Sequence, residues 1–445
     1  NAAQCEAGGE TDFYYDPHTK QYTGAARILK GWCGSKKSID KALHTDFIHD
    51  SCGNPLYLQW ADNYNDLRER FLPNIERFRE LAKIEPDRVL TITVDRGIYG
   101  MDVFEKVLTQ RDLHIITWEK GYRPGAWPVD TPTETFVLQR PRNRAADLRS
   151  YRFEYIDRPW KKNPAMRQIL VRATNPAGRT AEVSVLTDDP ERCPRQTIRT
   201  IFWRWLQEND FKYLDKHFGI NQITSYAVLD YAELGEQIED KQMKNGERQA
   251  LSHEKRKLKK ELGRLLVDQR AYLRKKEKEN KKRENPAGQK AETARRARIE
   301  KIDLRCLELD ALLQSTDKEV SRLEKLIAEK KQRLDTASKS VMDGVKVIAR
   351  NAFYRALAPF KSAYDNYRDD HDYFRKLTQS HALLVNRSGR LEVHLITPVN
   401  FPPKIQRIVD NLLAEINRQK LVLPDGSGTV LQFFLGQKAG IKLAD

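Results

Sequence analysis

Three acidic residues stand where this sequence could do metal chemistry. TITVDRGIYG at 91–100 runs a short strand-forming stretch straight into Asp95, followed at once by Arg96 and Gly97. A carboxylate at a strand's end projects beyond the sheet's carboxyl edge, and where it is buried there it needs a cation to meet it. Asp16, in FYYDPHTKQYTG, closes a short aromatic strand, and Glu208 sits in RWLQENDFK on an aromatic helix. Two Mg²⁺ ions about 3.5–4 Å apart need a bridging carboxylate and further acids around it. Mg²⁺ prefers oxygen ligands and keeps waters, so few protein groups suffice. Arg204 and Lys212 lie four residues before and after Glu208, so on a helix the three share one face. As structure alone that is a salt-bridge ladder. As chemistry it is an acid flanked by two phosphate-binding arms.

Other residues compete for these roles. Asp12, Asp46 and Asp50 are alternatives to Asp16, and Asp188 and Asp189 in VLTDDP are lower-ranked alternatives to Asp95. Cys33, His44, His49 and Cys52 offer four zinc ligands on paper, but the long first gap and the absence of a CxxC make a poor match. Metal-activated water needs no histidine base, so His18, two residues after Asp16, reads as a supporting or substrate-touching group. The sequence has no GxxxxGK[ST] loop, which argues against nucleotide hydrolysis. Trp118, Trp127, Trp160, Trp203 and Trp205 are concentrated in one part of the chain. Packing accounts for Trp203 and Trp205; Trp127 and Trp160 carry the alternative of stacking on an unpaired base.

The strand ending in DRG, followed on a later helix by R-x-x-x-E with a Lys beyond, resembles the DDE transposases of bacterial insertion sequences. Their signature is often written Y-x-x-R-x-x-x-E-x-x-x-x-x-x-K. The resemblance continues in Asp16 with PHTKQYTG, in GNPL (53–56) and in ITWEKGY (116–122). It spans roughly residues 10–230. It implies an RNase H-like core and two-metal hydrolysis and transfer of DNA phosphodiesters. Asp16 then matches the first acid, Asp95 the second, Glu208 the third and Arg204 the signature arginine. The Tyr position holds Ile201 and the Lys position holds Asp215, with Lys216 beside it and Lys212 one turn earlier. Lys212, Lys216, Arg204 and Arg96 are the expected phosphate contacts. The implied cofactors are two Mg²⁺ or Mn²⁺ ions held by Asp16, Asp95 and Glu208. The implied partner is DNA, both element ends and target, bound by a homodimer that assembles on it.

Positioning these residues requires an α/β architecture. FYYDPHTKQYTGAARILKG, PLYLQW, RVLTITV and LHIITWEKG read as strands. LRERFLPNIERFRELAK has helical spacing at Leu67, Phe71, Ile75, Phe78 and Leu81, and MDVFEKVLTQ is a second helix. Together they predict the first part of the core over 1–124. TFVLQR, YRFEYIDR, QILVRAT and TAEVSVLT predict a β-rich insertion over 125–190. The catalytic helix TIRTIFWRWLQENDFKYLDKHFG, stopped by Gly219, falls in 191–235. A basic helical hairpin or coiled coil fills 236–335. Its seam runs Ile299, Ile302, Cys306, Leu309, Leu313, Thr316, Val320, Leu323, Ile327 and Leu334, broken only by Lys330. An arm from Leu251 to Tyr272 precedes it, and NPAG at 285–288 lies between the two. A small α/β module over 336–445 completes the chain.

The bulk numbers fit a polyanion partner. The 445 residues carry a net charge of +16, and Glu254–Arg283 alone holds 14 Lys/Arg against 5 Asp/Glu. Such a run is a solvated face or a phosphate-contacting one. No apolar run is long enough to cross a bilayer, and the five scattered cysteines form no disulfide framework. The expected location is a reducing cytoplasm, bacterial and nucleoid-associated if the resemblance holds. The chain opens on Asn1 rather than Met, which leaves room for a preceding segment. A plain nuclease on the same core, and a decayed DNA-binding or coiled-coil scaffold protein, are the rival functions.

Overall fold

Ten strands order as β2-β3-β1-β5-β6-β10-β9-β8-β7, with β4 also pairing β3. They are β1 (Asp12–Gln21), β2 (Lys30–Cys33), β3 (Ser38–Asp50), β4 (Pro55–Ala61), β5 (Leu90–Val94), β6 (Leu113–Trp118), β7 (Glu134–Pro141), β8 (Leu148–Trp160), β9 (Asn163–Thr174) and β10 (Thr180–Thr187). The computed structural model describes residues 11–33, 37–61, 66–125, 127–128, 131–142, 144, 146–204, 211–223, 226–234, 242–278, 286–364, 366, 369–396 and 401–436.

β1 pairs β5 in parallel, and β5 pairs β6 in parallel, whereas β3 runs antiparallel to β1 and β4 antiparallel to β3. Parallel strands need long crossovers, and helices supply them. Helix α1 (Leu67–Ala82) leads from β4 to β5, and α2 (Met101–Leu108) from β5 to β6. Every residue of β5, LTITV, is buried, as expected of a β-branched strand covered on both faces. Asp66 caps α1 by accepting from the Arg68 amide, and Lys83 closes it in the left-handed region at φ 52°. Phe71, Ile75 and Phe78 point inward as the spacing predicts, but Leu81 is 56% exposed and Ala82 takes the buried place. Together with Phe13, Tyr15, Ile92, Val94 and Phe104 they form the main core.

The β-rich stretch read as an insertion continues this sheet. β10 pairs β6 antiparallel, and β9, β8 and β7 follow as an antiparallel meander. Its own core of Phe153, Tyr155, Ile169, Val171 and Val185 packs against Ile198 and Ile201 of α3 (Pro194–Trp203).

Contacts divide the chain into two units: Asn1–Tyr22, Lys30–Ser225 and Thr336–Asp445 form one, and Thr23–Leu29 with Tyr226–Asp335 the other. The second holds two long helices, α4 (Gly246–Lys278) and α5 (Pro286–Ser315). They run antiparallel within one chain: Glu254 meets Arg305 at 3.0 Å, Glu261 meets Arg298 at 2.7 Å, and Lys255 pairs with Asp310. Ile302, Cys306 and Leu309 are the buried seam, as their spacing predicts. The predicted seam does not continue as helix beyond Ser315. Ser315 and Thr316 turn their hydroxyls back onto the Leu312 carbonyl, at 3.1 and 2.6 Å, which competes with helix propagation. The chain then forms β13 (Glu319–Ser321), α6 (Arg322–Ala328) and β14 (Gln332–Leu334). There Leu326 is buried and Ile327 is 44% exposed, so the heptad register is lost. β13 pairs β12 (Gln242–Lys244), and β14 pairs β11 (Val228–Asp230).

The last stretch returns to the first unit. α7 (Ala337–Ala363), α8 (Asp370–Thr378) and α9 (Pro403–Arg418) pack with β15 (His381–Arg387), β16 (Arg390–Ile396) and β17 (Val430–Leu435). Their core centres on Leu357, Phe360, Phe374, Ile405 and Val409. No helix among the described residues is long and apolar enough to cross a membrane.

Candidate active site

The two parallel strands β1 and β5 bring Asp16 and Asp95 side by side. Their register pairs Tyr15 with Val94, so the next residue on each strand is an aspartate. Asp16 does not end its strand as the sequence suggested. β1 continues to Gln21 by pairing with β3, where Asp16 faces Phe47 across the ladder. β5 does stop, and Asp95 opens a single turn of 3₁₀ helix, Arg96–Ile98, through its backbone, with no capping bond from its side chain. Gly97 lets that turn lie against α1, where an added Cβ would sit 3.0 Å from Leu67 Cδ2.

Arg204 joins the two acids. Its Nη2 donates to Asp16 Oδ1 at 2.8 Å, and its Nη1 lies 3.4 Å from Asp95 Oδ1. The Asp16 and Arg204 side chains are 13% and 14% exposed, whereas Asp95 is 46% exposed. One acid is therefore enclosed and the other opens to solvent. A planar guanidinium with several donors suits this bridging; a lysine ammonium would not span both carboxylates in the same way.

The helix that delivers Arg204 is stapled to β1. Tyr14 donates its hydroxyl to the Thr200 carbonyl at 3.0 Å, and Arg192 holds Asp12 at 2.8 Å and Thr200 Oγ1 at 2.9 Å. Arg192 and Thr200 carry no local sequence signal for this role; only the fold shows it. Replacing Arg204 with Ala is expected to lower stability by about 1–3 kcal/mol, because the enclosed Asp16 loses a charged donor. A reduced Tm in thermal melts checks this, and Arg204→Lys should restore only part of it.

Of the predicted 197–219 helix, the described residues show α3 with Arg204 as its cap, then helical backbone over 211–213 and a π turn, Leu214–Phe218, that closes on Gly219 at φ 61°; residues 205–210 lie outside the described residues. Glu208 and Trp205 lie outside the described residues. Lys212 and Lys216 are exposed on the segment that follows, and Arg96 is exposed beside Asp95. Arg204 meets Asp16 and Asp95, while the expected Arg204–Glu208–Lys212 ladder falls partly outside the described residues.

The competing acids all have structural partners. Asp46 is fully buried and takes a fork from Arg70 at 2.8 and 3.0 Å plus Asn74 at 2.9 Å. Asp50 closes the turn to Asn54, and Asp12 is held by Arg192. Asp188 accepts from the Ile115 amide at 2.7 Å and from His114 at 3.0 Å, a bond that raises the His114 pKa. Asp189 accepts from the Glu191 and Arg192 amides at 3.0 Å. These carboxylates fasten the sheet and its exits.

The zinc alternative finds no support. Among the described residues no group of three or more His, Cys, Asp or Glu is placed to hold a metal ion. Burial, with the fields of Arg350 and Arg204, pushes His49 down to about 3, and His44 bonds Thr19 at 3.0 Å. Trp127 and Trp160 are packed. Trp160 is 1% exposed, and Trp127 lies under the Arg172 guanidinium at 4.3 Å, so neither presents a free face to a base. Trp203 is flanked by Arg140 at 3.5 Å and Arg199 at 5.3 Å.

This chain matches the model of a family described as "Transposase protein" over residues 8–434, nearly its full length. It belongs to that transposase family. A search of curated proteins finds no match. A solved structure described as the piggyBac transposase synaptic complex with hairpin DNA is similar over 48% of this chain and 42% of that one, at 12% identity and a TM-score of 0.28. That similarity is too low to bear on the geometry of this site.

Proposed function

We propose that this chain is a metal-dependent DNA strand transferase with an RNase H-like core, in which Asp16, Asp95 and Glu208 form the acidic centre. The observation that carries the reading is the junction of Asp16 and Asp95 on one arginine, just past the point where the parallel pairing of β1 and β5 stops. β4-β3-β1-β5-β6 form a mixed run in which only β3 is reversed. β1 and β5 also flank the point where the chain switches from adding strands on one side to adding them on the other. Ligands of open α/β sheets bind at that point, beyond the carboxyl ends.

The donor set fits Mg²⁺ or Mn²⁺. It is all oxygen, it sits at a partly open sheet edge, and it already draws a cation in Arg204. Two such ions, when bound, polarise the scissile phosphate and generate a nucleophile from water or a sugar hydroxyl at neutral pH. Asp16, Asp95 and Glu208 would hold them. Arg204, displaced from the acids, is in reach of the phosphate, and Arg96, Lys212 and Lys216 meet flanking phosphates. The helical hairpin supports DNA as the partner. Its acids Glu254 and Glu261 are tied to α5, while Arg256, Lys257, Lys259, Lys260 and Arg264 of α4 are exposed. That arrangement tracks a phosphate backbone without reading bases. Assembly on DNA as a homodimer follows from the family resemblance.

The test is incubation of the protein with DNA carrying its own element's flanks plus Mg²⁺, followed by sequencing of the products. The expected products are ends cut to a free 3′-hydroxyl and ends joined to new DNA. Cut ends without joined ones would point to a nuclease on the same core. Neither product, with DNA still bound, would reduce the protein to a binder.

A further inference from the structure

A buried cluster on α7 reaches back to the strand that carries Asp16. The Lys339 side chain is 3% exposed and Asp343, one turn on, is 1% exposed. Lys339 Nζ donates to the Ile220 carbonyl at 2.9 Å, to the Gln222 carbonyl at 2.7 Å and to the Asp343 carboxylate at 3.0 Å. An ammonium has three donors, so these three acceptors use it fully. Lys346 adds a bond to the Gly219 carbonyl at 2.7 Å. The clamp thus grips the turn 219–222 by three of its four carbonyls.

That turn presents Asn221 to the candidate site. Asn221 Oδ1 accepts from His18 Nε2 at 2.8 Å, and His18 lies two residues after Asp16 on β1. The His18 ring stacks on Phe211 at 4.7 Å, and Phe211 packs edge-on against Phe47, the cross-strand neighbour of Asp16. Phe211 is also three residues beyond Glu208 in sequence. The Asn221 amide oxygen can only accept, so in this contact His18 Nε2 is the donor. From α7 to β1 the chain of contacts is Lys339, the 219–222 turn, Asn221, His18 and Phe211.

We propose that Lys339 and Asp343 are positioning residues for the strand-transfer site. They lock the 219–222 turn so that Asn221 and His18 fix the Asp16 strand against the segment that follows Glu208. The inference rests on the proposed acidic centre and deepens it: the module after residue 336 completes the catalytic unit from the far end of the chain. Displacements of about 1 Å at a reacting centre can cost about 100-fold in rate.

The test is the double variant Lys339→Met/Asp343→Leu, which removes both charges of the pair; Lys346, which also meets Asp343 at 3.5 Å, keeps its bond to the Gly219 carbonyl. Three readouts on the full chain are needed: Tm, cleavage rate at matched DNA occupancy, and the His18 imidazole signals in long-range ¹H–¹⁵N spectra. The expected result is a near-native Tm, unchanged DNA binding, cleavage reduced about 10- to 100-fold, and a shifted His18 Nε2 signal. Asn221→Ala, which spares the buried pair, should reproduce the loss of rate and the His18 shift, and it carries the test if the double variant does not fold. Native cleavage in either folded variant overturns the proposal, and so does slowed cleavage with His18 unmoved. The His18 signal needs no catalysis, so it separates a failure of this inference from a failure of the acidic-centre reading.

Discussion

Asp95→Ala is expected to abolish metal-dependent DNA cleavage while DNA binding stays nearly intact. Asp95 is the more open of the two joined acids, at 46% exposure, and its side chain makes no capping bond. Removing it should therefore cost little stability. In the proposed centre Asp95 would hold a divalent ion, and such ions contribute several kcal/mol to stabilising transition-state charge. A loss of about 4 kcal/mol corresponds to roughly a thousandfold in rate. Cleavage of labelled end DNA, with binding measured in parallel, checks this. Asp46→Ala provides the contrast. Asp46 is buried under Arg70 and Asn74, so its removal should lower Tm strongly, in the manner of any broken buried ion pair. Retained cleavage in Asp95→Ala would remove Asp95 from the chemistry.

The largest effect on stability is expected from Trp160→Ala, at about 3–5 kcal/mol. Trp160 closes β8 and packs edge-on against Phe104 at 5.9 Å and Tyr99 at 6.2 Å, inside the core shared with β1 and β5. Its indole N–H also donates to Glu119 at 3.1 Å. Burial pushes the Glu119 carboxyl up, but donors from Ser184, Trp160, Gln168 and Lys162 together hold it below the usual range. The residue thus fastens the β-rich meander to the sheet that carries the aspartates. Urea denaturation measures the loss. Trp160→Phe, which keeps one six-membered ring but loses the pyrrole half and the N–H, should cost less, about 1–2 kcal/mol. If Trp160→Ala stays within that smaller value, the meander is not anchored there.

Much of the site was legible because local rules act on short stretches. β5 is a β-branched run that can be placed only in a covered sheet, and it ends in a carboxylate, so Asp95 had to emerge at the sheet edge. The inward face of α1 follows from the spacing of Phe71, Ile75 and Phe78. The strands of the meander alternate clearly, but nothing local says that β10 pairs β6 and so extends the same sheet. The meeting of Asp16 and Asp95 depends on a parallel register between segments far apart in sequence, which spacing alone does not encode. The spacing makes Arg204 a helix-face neighbour of Glu208, which lies outside the described residues, and says nothing of the aspartates. The fold turns Arg204 toward the aspartates because Tyr14 and Arg192 fasten α3 to β1. The heptad seam misled beyond Ser315, since apolar spacing continued where Ser315 and Thr316 had already ended the helix. Lys339 and Asn221 carried no signal at all: an ordinary lysine and an ordinary asparagine acquire their roles through contacts across more than a hundred residues.

Convergence of three acids is the claim on which the chemistry stands, and calorimetric titration with Mn²⁺ tests it most directly. The intact protein should bind the ion, and Asp16→Ala, Asp95→Ala and Glu208→Ala should each weaken that binding. Unchanged Mn²⁺ binding in Glu208→Ala, or no carboxylate-dependent binding in the intact protein, would contradict it.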